Sequence, residues 1–362
     1  MRAAWAAIDL AALSDNIDVI REEAGARKIL AVLKANAYGH GLIRIAQELH
    51  DVDAIGVARL EEALELRAAG ISRPIVLLEG FFAEDQLPML AASNIQPVIH
   101  HRWQVNAVLS IQDLPEPLKV WLKVDTGMHR LGVEPNEAER WFKALTESNN
   151  VASSPILMSH LACADEPEHE KNEQQLAYFS SLVASLKPEA TSIANSGALF
   201  ARLGQSHDWV RPGLAMYGIS PFLQDNKALS PRLKQLRPVM KLCADLISTR
   251  DIKKGDSVGY GSAWTTSRDT RIGIVAIGYG DGYPRLAPQG TPVWIDGKRY
   301  PLVARVAMDM VTVDLGPGST MEPGKTAELW GPNLPVEEIA QHVGTVAYEL
   351  LCNVARRVTL VY

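Results

Sequence analysis

From residue 29 to about residue 220, short apolar runs alternate with segments whose apolar residues recur at helical spacing. The runs are ILAVLK, AIGVA, PIVLLE, IQPVIH, KVWLKV, PILMSH, TSIANS and GLAMYG. Between them lie GLIRIAQELH, LEEALELRAAG and ERWFKALTES, each of which gathers its apolar residues on one face when wound as a helix. Alternating strand and helix predicts a parallel sheet. Eight such units over about 200 residues predict a closed (β/α)8 barrel of the TIM type. An open doubly wound sheet competes with that reading, but no GxGxxG follows the first run.

Beyond about residue 230 the pattern changes. VMKLCADLIST, RIGIVAIGYG, TPVWIDGKRYPLVARVAMDMVTVDL and KTAELWG read as extended segments separated by Gly and Pro turns. Asp296-Gly297 between two such runs is a hairpin signal. The expected architecture is therefore α/β: a barrel over 1–230 and a mainly-β domain over 231–362, with SPRLKQLRP (230–238) at the boundary.

Composition narrows the class of partner. Hydrophobic residues make up 47% of the 362 and charged residues 22%, enough for a sizeable core. The formal charge is -6 and the pI about 5.9, so no basic excess points to nucleic acid. No run approaches the roughly 20 apolar residues that span a bilayer. The N-terminal MRAAWAAIDLAALSDNID carries an aspartate at position 9 and no clear export cleavage site, which reads as mature cytoplasmic protein. Three widely spaced cysteines (Cys163, Cys243, Cys352) fit a reducing compartment and suggest neither a disulfide framework nor a metal site.

The unusual residues sit at strand ends, where a barrel collects its chemistry. Lys34 ends the first run, and Lys123 ends the fifth ahead of DTGMHRLG with Arg130. His160 ends the sixth, Asn195-Ser196-Gly197 the seventh, and Arg211-Pro212-Gly213 belongs to the eighth. Singly, each is ordinary rim chemistry; together they predict an electropositive mouth suited to a phosphate ester or a carboxylate. Ser196, Gly197 and Gly213 offer a hydroxyl and open backbone N–H groups for a phosphate. A lysine among like charges loses basicity, and a neutral amine forms Schiff bases. A Schiff-base lysine beside a phosphate cradle points to pyridoxal phosphate, although a barrel aldolase would share the lysine.

Taken with AVLKANAYGHG around Lys34, the motifs LKVDTGMHRLG, LMSHLACADE, ANSGA, VRPGLAMYG, VGYGSAW, IGYGDGYPR and VAMDM resemble, in order and spacing, those of the pyridoxal-phosphate-dependent alanine racemases. The likeness runs through the whole chain. It implies that Lys34 carries the cofactor and that Tyr38, Ser196, the Gly213-Leu214 backbone and Tyr348 hold its phosphate. Arg211 would face the pyridine nitrogen, with His160 and Asn195 beside the cofactor. An arginine does not readily release a proton, so the ring would be a weaker electron sink, which favours racemisation over transamination. Lys34 would serve one face of the α-carbon and Tyr260 the other, Lys34 handling the D-enantiomer's proton and Tyr260 the L-enantiomer's. A free tyrosine titrates near pH 10, about three units too high for a base at neutral pH, and the family arrangement supplies His160 and Arg211 as cationic support.

Tyr260 lies in the β-domain and Lys34 in the barrel, so the resemblance also implies a head-to-tail homodimer with shared sites. Arg130 and the Met308 backbone would bind the substrate carboxylate. Lys123 is a candidate for carbamylation, the carbamate orienting Arg130. Tyr279, Tyr348 and Asp309 would line the entrance. His129 stands where some relatives have Gly or Asn, and no role is assigned to it. The implied activity is interconversion of L- and D-alanine, supplying D-alanine for peptidoglycan or degrading it. Three other readings compete: a broader racemase acting on serine or basic amino acids, a barrel-type decarboxylase and a non-catalytic cofactor-binding protein. The decarboxylases place a glutamate where Arg211 stands, and the binding proteins lack the β-domain that carries Tyr260.

Overall fold

The computed structural model describes residues 1–222 and 229–362. Strand β1 (Trp5–Ile8) comes first, and eight strands then close a parallel barrel: β2 (Lys28–Val32), β3 (Ala54–Val57), β4 (Ile75–Leu77), β5 (Ile95–Ile99), β6 (Trp121–Lys123), β7 (Ile156–Met158), β8 (Thr191–Asn195) and β9 (Trp209–Arg211). Strands covered on both faces read as continuous apolar runs, and every residue of β3, β4 and β5 is buried. Leu30, Ala54, Val76, Val98, Trp121, Met158 and Trp209 form a separate buried cluster that fills the barrel interior. Trp121 and Trp209 meet edge-on at 5.3 Å, and the Trp121 indole donates to Gln96 at 2.9 Å.

Seven of the eight predicted runs contain barrel strands; the eighth is displaced. The last barrel strand is Trp209–Arg211, while Leu214–Tyr217, inside the predicted run GLAMYG, is a short 3-10 helix. Pro212 between them has no N–H to give a ladder, and a four-residue apolar stretch reads alike as strand or helix. The three predicted helical segments fold as Leu42–Glu48, Leu60–Ala68 and Ala138–Thr146.

The second half builds the other sheet from β10 (Met240–Ile252), β11 (Ser257–Val258), β12 (Trp264–Thr265), β13 (Thr270–Val275), β14 (Pro292–Ile295), β15 (Lys298–Val303), β16 (Val311–Gly316), β17 (Thr326–Trp330) and β18 (Thr359–Val361). The thirteen-residue β10 pairs with β17 in its first half and with β13 in its second. This closes the ladder β13-β16-β15-β14-β17-β10 on itself, leaving the β11–β12 hairpin apart. Asp296 and Gly297 both have positive φ, 49° and 85°, as the two-residue turn between β14 and β15 requires. The sheet also takes in the N-terminal strand, because β1 pairs antiparallel with β10 and parallel with β18. The chain thus starts in the second sheet, enters the barrel through helix Leu10–Ala24, and returns. No helix among the described residues is long and apolar enough to cross a membrane.

Candidate active site

A cavity of about 620 Å³ opens at the C-terminal ends of the barrel strands. Eleven residues nominated from the sequence line it: Lys34, Tyr38, Lys123, Arg130, His160, Asn195, Ser196, Arg211, Gly213, Leu214 and Tyr348. Four are cations, and Glu79 is the one carboxylate of the lining. Glu79 is itself held by Arg59 at 2.6 Å, which leaves the cavity in cationic excess.

Lys34 leaves β2 into an unusual turn. Ala35, Asn36, Ala37 and Tyr38 all have φ of 53–55°, the left-handed region. L-residues lose about 1–2 kcal/mol each there, because Cβ crowds the following carbonyl. Gly39 ends the turn at φ 80°, and a side chain on it would run into the Leu351 carbonyl. That close approach seats the helix Ala347–Cys352, and with it Tyr348, against the turn. The rings of Tyr38 and Tyr348 lie 5.9 Å apart.

Ser196 Oγ accepts the backbone N–H of Gly213 at 3.0 Å and of Ala215 at 3.4 Å, which leaves its own proton free to donate. A Cβ at Gly213 would lie 2.5 Å from the Tyr38 hydroxyl, so only glycine leaves this cradle open. Asn195 caps the following short helix by accepting from Ala198 N at 2.9 Å.

Arg211, 4% exposed, makes no ion pair among the described residues. Its guanidinium donates to Ser192 Oγ (2.6 Å), to the Ser159 and Ile193 carbonyls (2.8 and 3.2 Å) and to His160 Nδ1 (3.0 Å). Burial brings it down to about 9, still charged at neutral pH. Burial and then Arg211 hold the His160 imidazole well below its ordinary value, so it is neutral, and acceptance at Nδ1 leaves its proton on Nε2. Lys123 ends β6 with 8% exposure; burial, then Arg211, Arg130 and Lys34, lower its ammonium to about 7.

A free hydroxyl proton at Ser196, the space left by the missing side chain of Gly213, cationic excess and a primary amine in one cavity fit an anionic aldehyde such as pyridoxal phosphate. Residues 8–221 match the family model "Alanine racemase, N-terminal domain", and residues 239–362 match "Alanine racemase, C-terminal domain". The chain belongs to the alanine racemase family.

It is 51% identical over 356 residues to the alanine racemase of Shewanella sp. (strain MR-4), covering 98% of each chain. It is 49% identical over 362 residues to that of Vibrio parahaemolyticus, covering 100% of this chain and 99% of the relative. The fold superposes on the biosynthetic alanine racemase from Pseudomonas aeruginosa with TM-score 0.93 at 43% identity, covering 100% of this chain and 99% of that one. The alanine racemase from Bartonella henselae, solved with covalently bound pyridoxal phosphate, matches with TM-score 0.90 at 31% identity over 100% of both chains.

The other residues that the alanine racemase resemblance nominated lie apart from this cavity within one chain. Tyr260 opens a 3-10 turn in the β11–β12 hairpin and is 74% exposed. Tyr279 and Met308 are also exposed, and Asp309 pairs with Arg357 at 2.8 Å. These two strips are stitched together, Tyr279 N donating to the Ala307 carbonyl and Gly280 N to that of Met308. Sequence reasoning missed Glu79, although it ends the third run as Lys34 ends the first. It also missed Ser192 and Ser159, whose small hydroxyls carry no pattern.

Proposed function

We propose that this alanine racemase family member interconverts L- and D-alanine by moving the α-proton between two groups on opposite faces of the substrate, Lys34 and Tyr260 of the partner subunit. Lys34, Tyr38, Ser196, Gly213, Leu214 and Tyr348 are the residues that would hold pyridoxal phosphate, with Arg211, His160 and Asn195 beside it. When bound, the cofactor supplies an electron sink that acidifies the substrate's α-proton.

The Lys34 amine takes or returns the proton on one face, acting on the D-enantiomer. Tyr260 does the same for the L-enantiomer. His160, neutral and protonated at Nε2, donates toward the phenolate oxygen of Tyr260, and Arg211 behind it polarises the ring through Nδ1. Arg211 stays charged and does not release a proton to the ring nitrogen, which favours return of the proton to Cα. Arg130 binds the substrate carboxylate with the Met308 backbone of the partner subunit. Lys123, neutral in part near pH 7, is the candidate for carbamylation: its amine nitrogen bonds to the carbon of CO2, loses a proton and becomes an anion beside Arg130. Tyr279 and Asp309 would line the entrance.

In this reading the barrel (1–230) supplies one half of each site and the β-domain (231–362) the other, so the working unit is a homodimer. The observation that carries it is the single cationic cavity gathering eleven nominated residues around Lys34. The exposure of Tyr260, on the separate β11–β12 hairpin of the same chain, supports the shared site.

The test is to incubate the purified protein with pyridoxal phosphate and L-alanine and to follow the enantiomers by chiral chromatography. Drift to equal amounts without pyruvate or amine is the expected result. Inversion of serine or lysine in preference to alanine would replace the substrate, and absence of any inversion would overturn the reading.

A further inference from the structure

The left-handed turn after Lys34 needs something to hold it, since four successive non-glycine residues do not adopt that conformation unaided. Two side chains grip it from opposite ends. Glu62, on the helix Leu60–Ala68, accepts the N–H of Ala35 at 2.7 Å and of Asn36 at 3.4 Å through Oε1. Its Oε2 accepts the N–H of Ala58 and Arg59 at 3.0 and 3.1 Å, anchoring the carboxylate to the barrel. At the far end, His40 Nδ1 lies 3.0 Å from the Ala37 carbonyl and 2.9 Å from that of Tyr38. A ring nitrogen facing two carbonyls must carry the proton, so Nδ1 donates and Nε2 is bare.

That bare Nε2 is the informative atom. His40 is 0% exposed, and its Nε2 is buried with no hydrogen-bond partner. The ring stacks on Tyr217 at 4.3 Å, as a phenyl group would, and Tyr217 lies 5.0 Å from Tyr38. An unpartnered buried nitrogen destabilises the fold. What the imidazole adds over an apolar ring is its Nδ1–H, aimed at the two carbonyls that end the turn.

We propose that His40 and Glu62 are positioning residues for Lys34 and Tyr38, clamping the left-handed turn from both ends so that amine and phenol keep fixed places in the cavity. This rests on the reading of Lys34 as the reacting amine. Neither residue lines the cavity, so both act through the turn. Loosening the clamp should misplace the amine by fractions of an ångström. That lowers turnover and cofactor affinity while leaving substrate capture by Arg130 largely intact.

The experiment compares the holoenzyme with His40→Phe, His40→Asn and Glu62→Gln. It reads kcat and KM for L-alanine, the dissociation constant of pyridoxal phosphate by fluorescence, and the melting temperature. His40→Phe keeps the stack and loses the donor. Its expected signature is a kcat at least about tenfold lower and weaker pyridoxal phosphate binding, with KM changed by less than about threefold. His40→Asn restores an N–H close to the backbone and should recover most of both losses. Glu62→Gln, which has one acceptor oxygen for four N–H groups, should move the same two quantities. Wild-type kcat and cofactor affinity in His40→Phe overturn the proposal whatever the melting temperature, as does a His40→Asn variant no better than His40→Phe. If His40→Phe does not fold, wild-type values in Glu62→Gln overturn it. A Lys34→Ala protein run alongside separates the two readings: retained racemisation there overturns the role of Lys34, and the cofactor-affinity arm still judges the clamp.

Discussion

Lys123 shows how far one residue's chemistry is set by its neighbours. In the sequence it is one lysine among the 36 basic residues. In the fold it is buried beside Arg211, Arg130 and Lys34, and its ammonium falls to about 7. An amine that is neutral near pH 7 can take up CO2, and the resulting anion would restrain Arg130. We expect Lys123→Ala to raise KM for alanine more than it lowers kcat. Assays in degassed buffer should be stimulated by bicarbonate in the native enzyme and not in the variant. Lys34, Lys123 and His160 were legible because each ends an apolar run, where a titratable side chain has little structural reason to be. His40 was not, because a histidine after a tyrosine and a glycine carries no sign that its backbone is left-handed.

At the scale of elements, a few buried polar side chains fix how pieces meet. Asn16, fully buried on the helix Leu10–Ala24, donates to the carbonyls of Met216 and Arg237 and accepts the N–H of Arg237. It ties the entry helix to the segment leading into β10. Asn16→Ala leaves three backbone groups without partners, at about 1–3 kcal/mol for each that water cannot reach. A loss of several kcal/mol in urea unfolding, with kcat unchanged in the surviving folded fraction, is the expected outcome. The Asp296-Gly297 hairpin was legible because its turn depends on two adjacent residues. The eighth barrel strand was not, since WVR and LAMY are both short and mostly apolar and only hydrogen-bond partners across the barrel separate them.

For the whole molecule, burial of imidazoles makes stability depend on pH. His40, His100, His160 and His207 are all held below the ordinary value of 6.5, with burial the largest cause in each. As pH falls below about 6.5, the unfolded chain binds protons that the folded chain refuses, so stability falls. His40, held at about 4, contributes on the order of 3 kcal/mol to that loss between pH 6.5 and 4. Denaturant midpoints at fixed ionic strength should drop steadily over that interval. Assembly gives a second prediction. Lys34→Ala and Tyr260→Phe should each be nearly inactive, and only Tyr260→Phe should retain the visible absorbance of bound pyridoxal phosphate. Refolding the two together gives mixed dimers with one intact site, so activity should return to about a quarter of the native level. No recovery would place both residues in one chain's site.

The sequence by itself determined the local features: strand and helix periods, the two-residue hairpin, and which charged residues interrupt apolar runs. These depend on neighbours a few residues apart, and period and turn chemistry encode them directly. Only the tertiary structure decided which of those residues meet. It brought Lys123 and Arg130 to Lys34, made His160 an acceptor for Arg211, placed strand Trp5–Ile8 beside Met240–Ile252, and left Tyr260 exposed on its hairpin. Such pairings depend on barrel closure and on contacts between residues up to hundreds of positions apart. No short-range pattern records them, and burial and charge together then set the protonation that the chemistry uses.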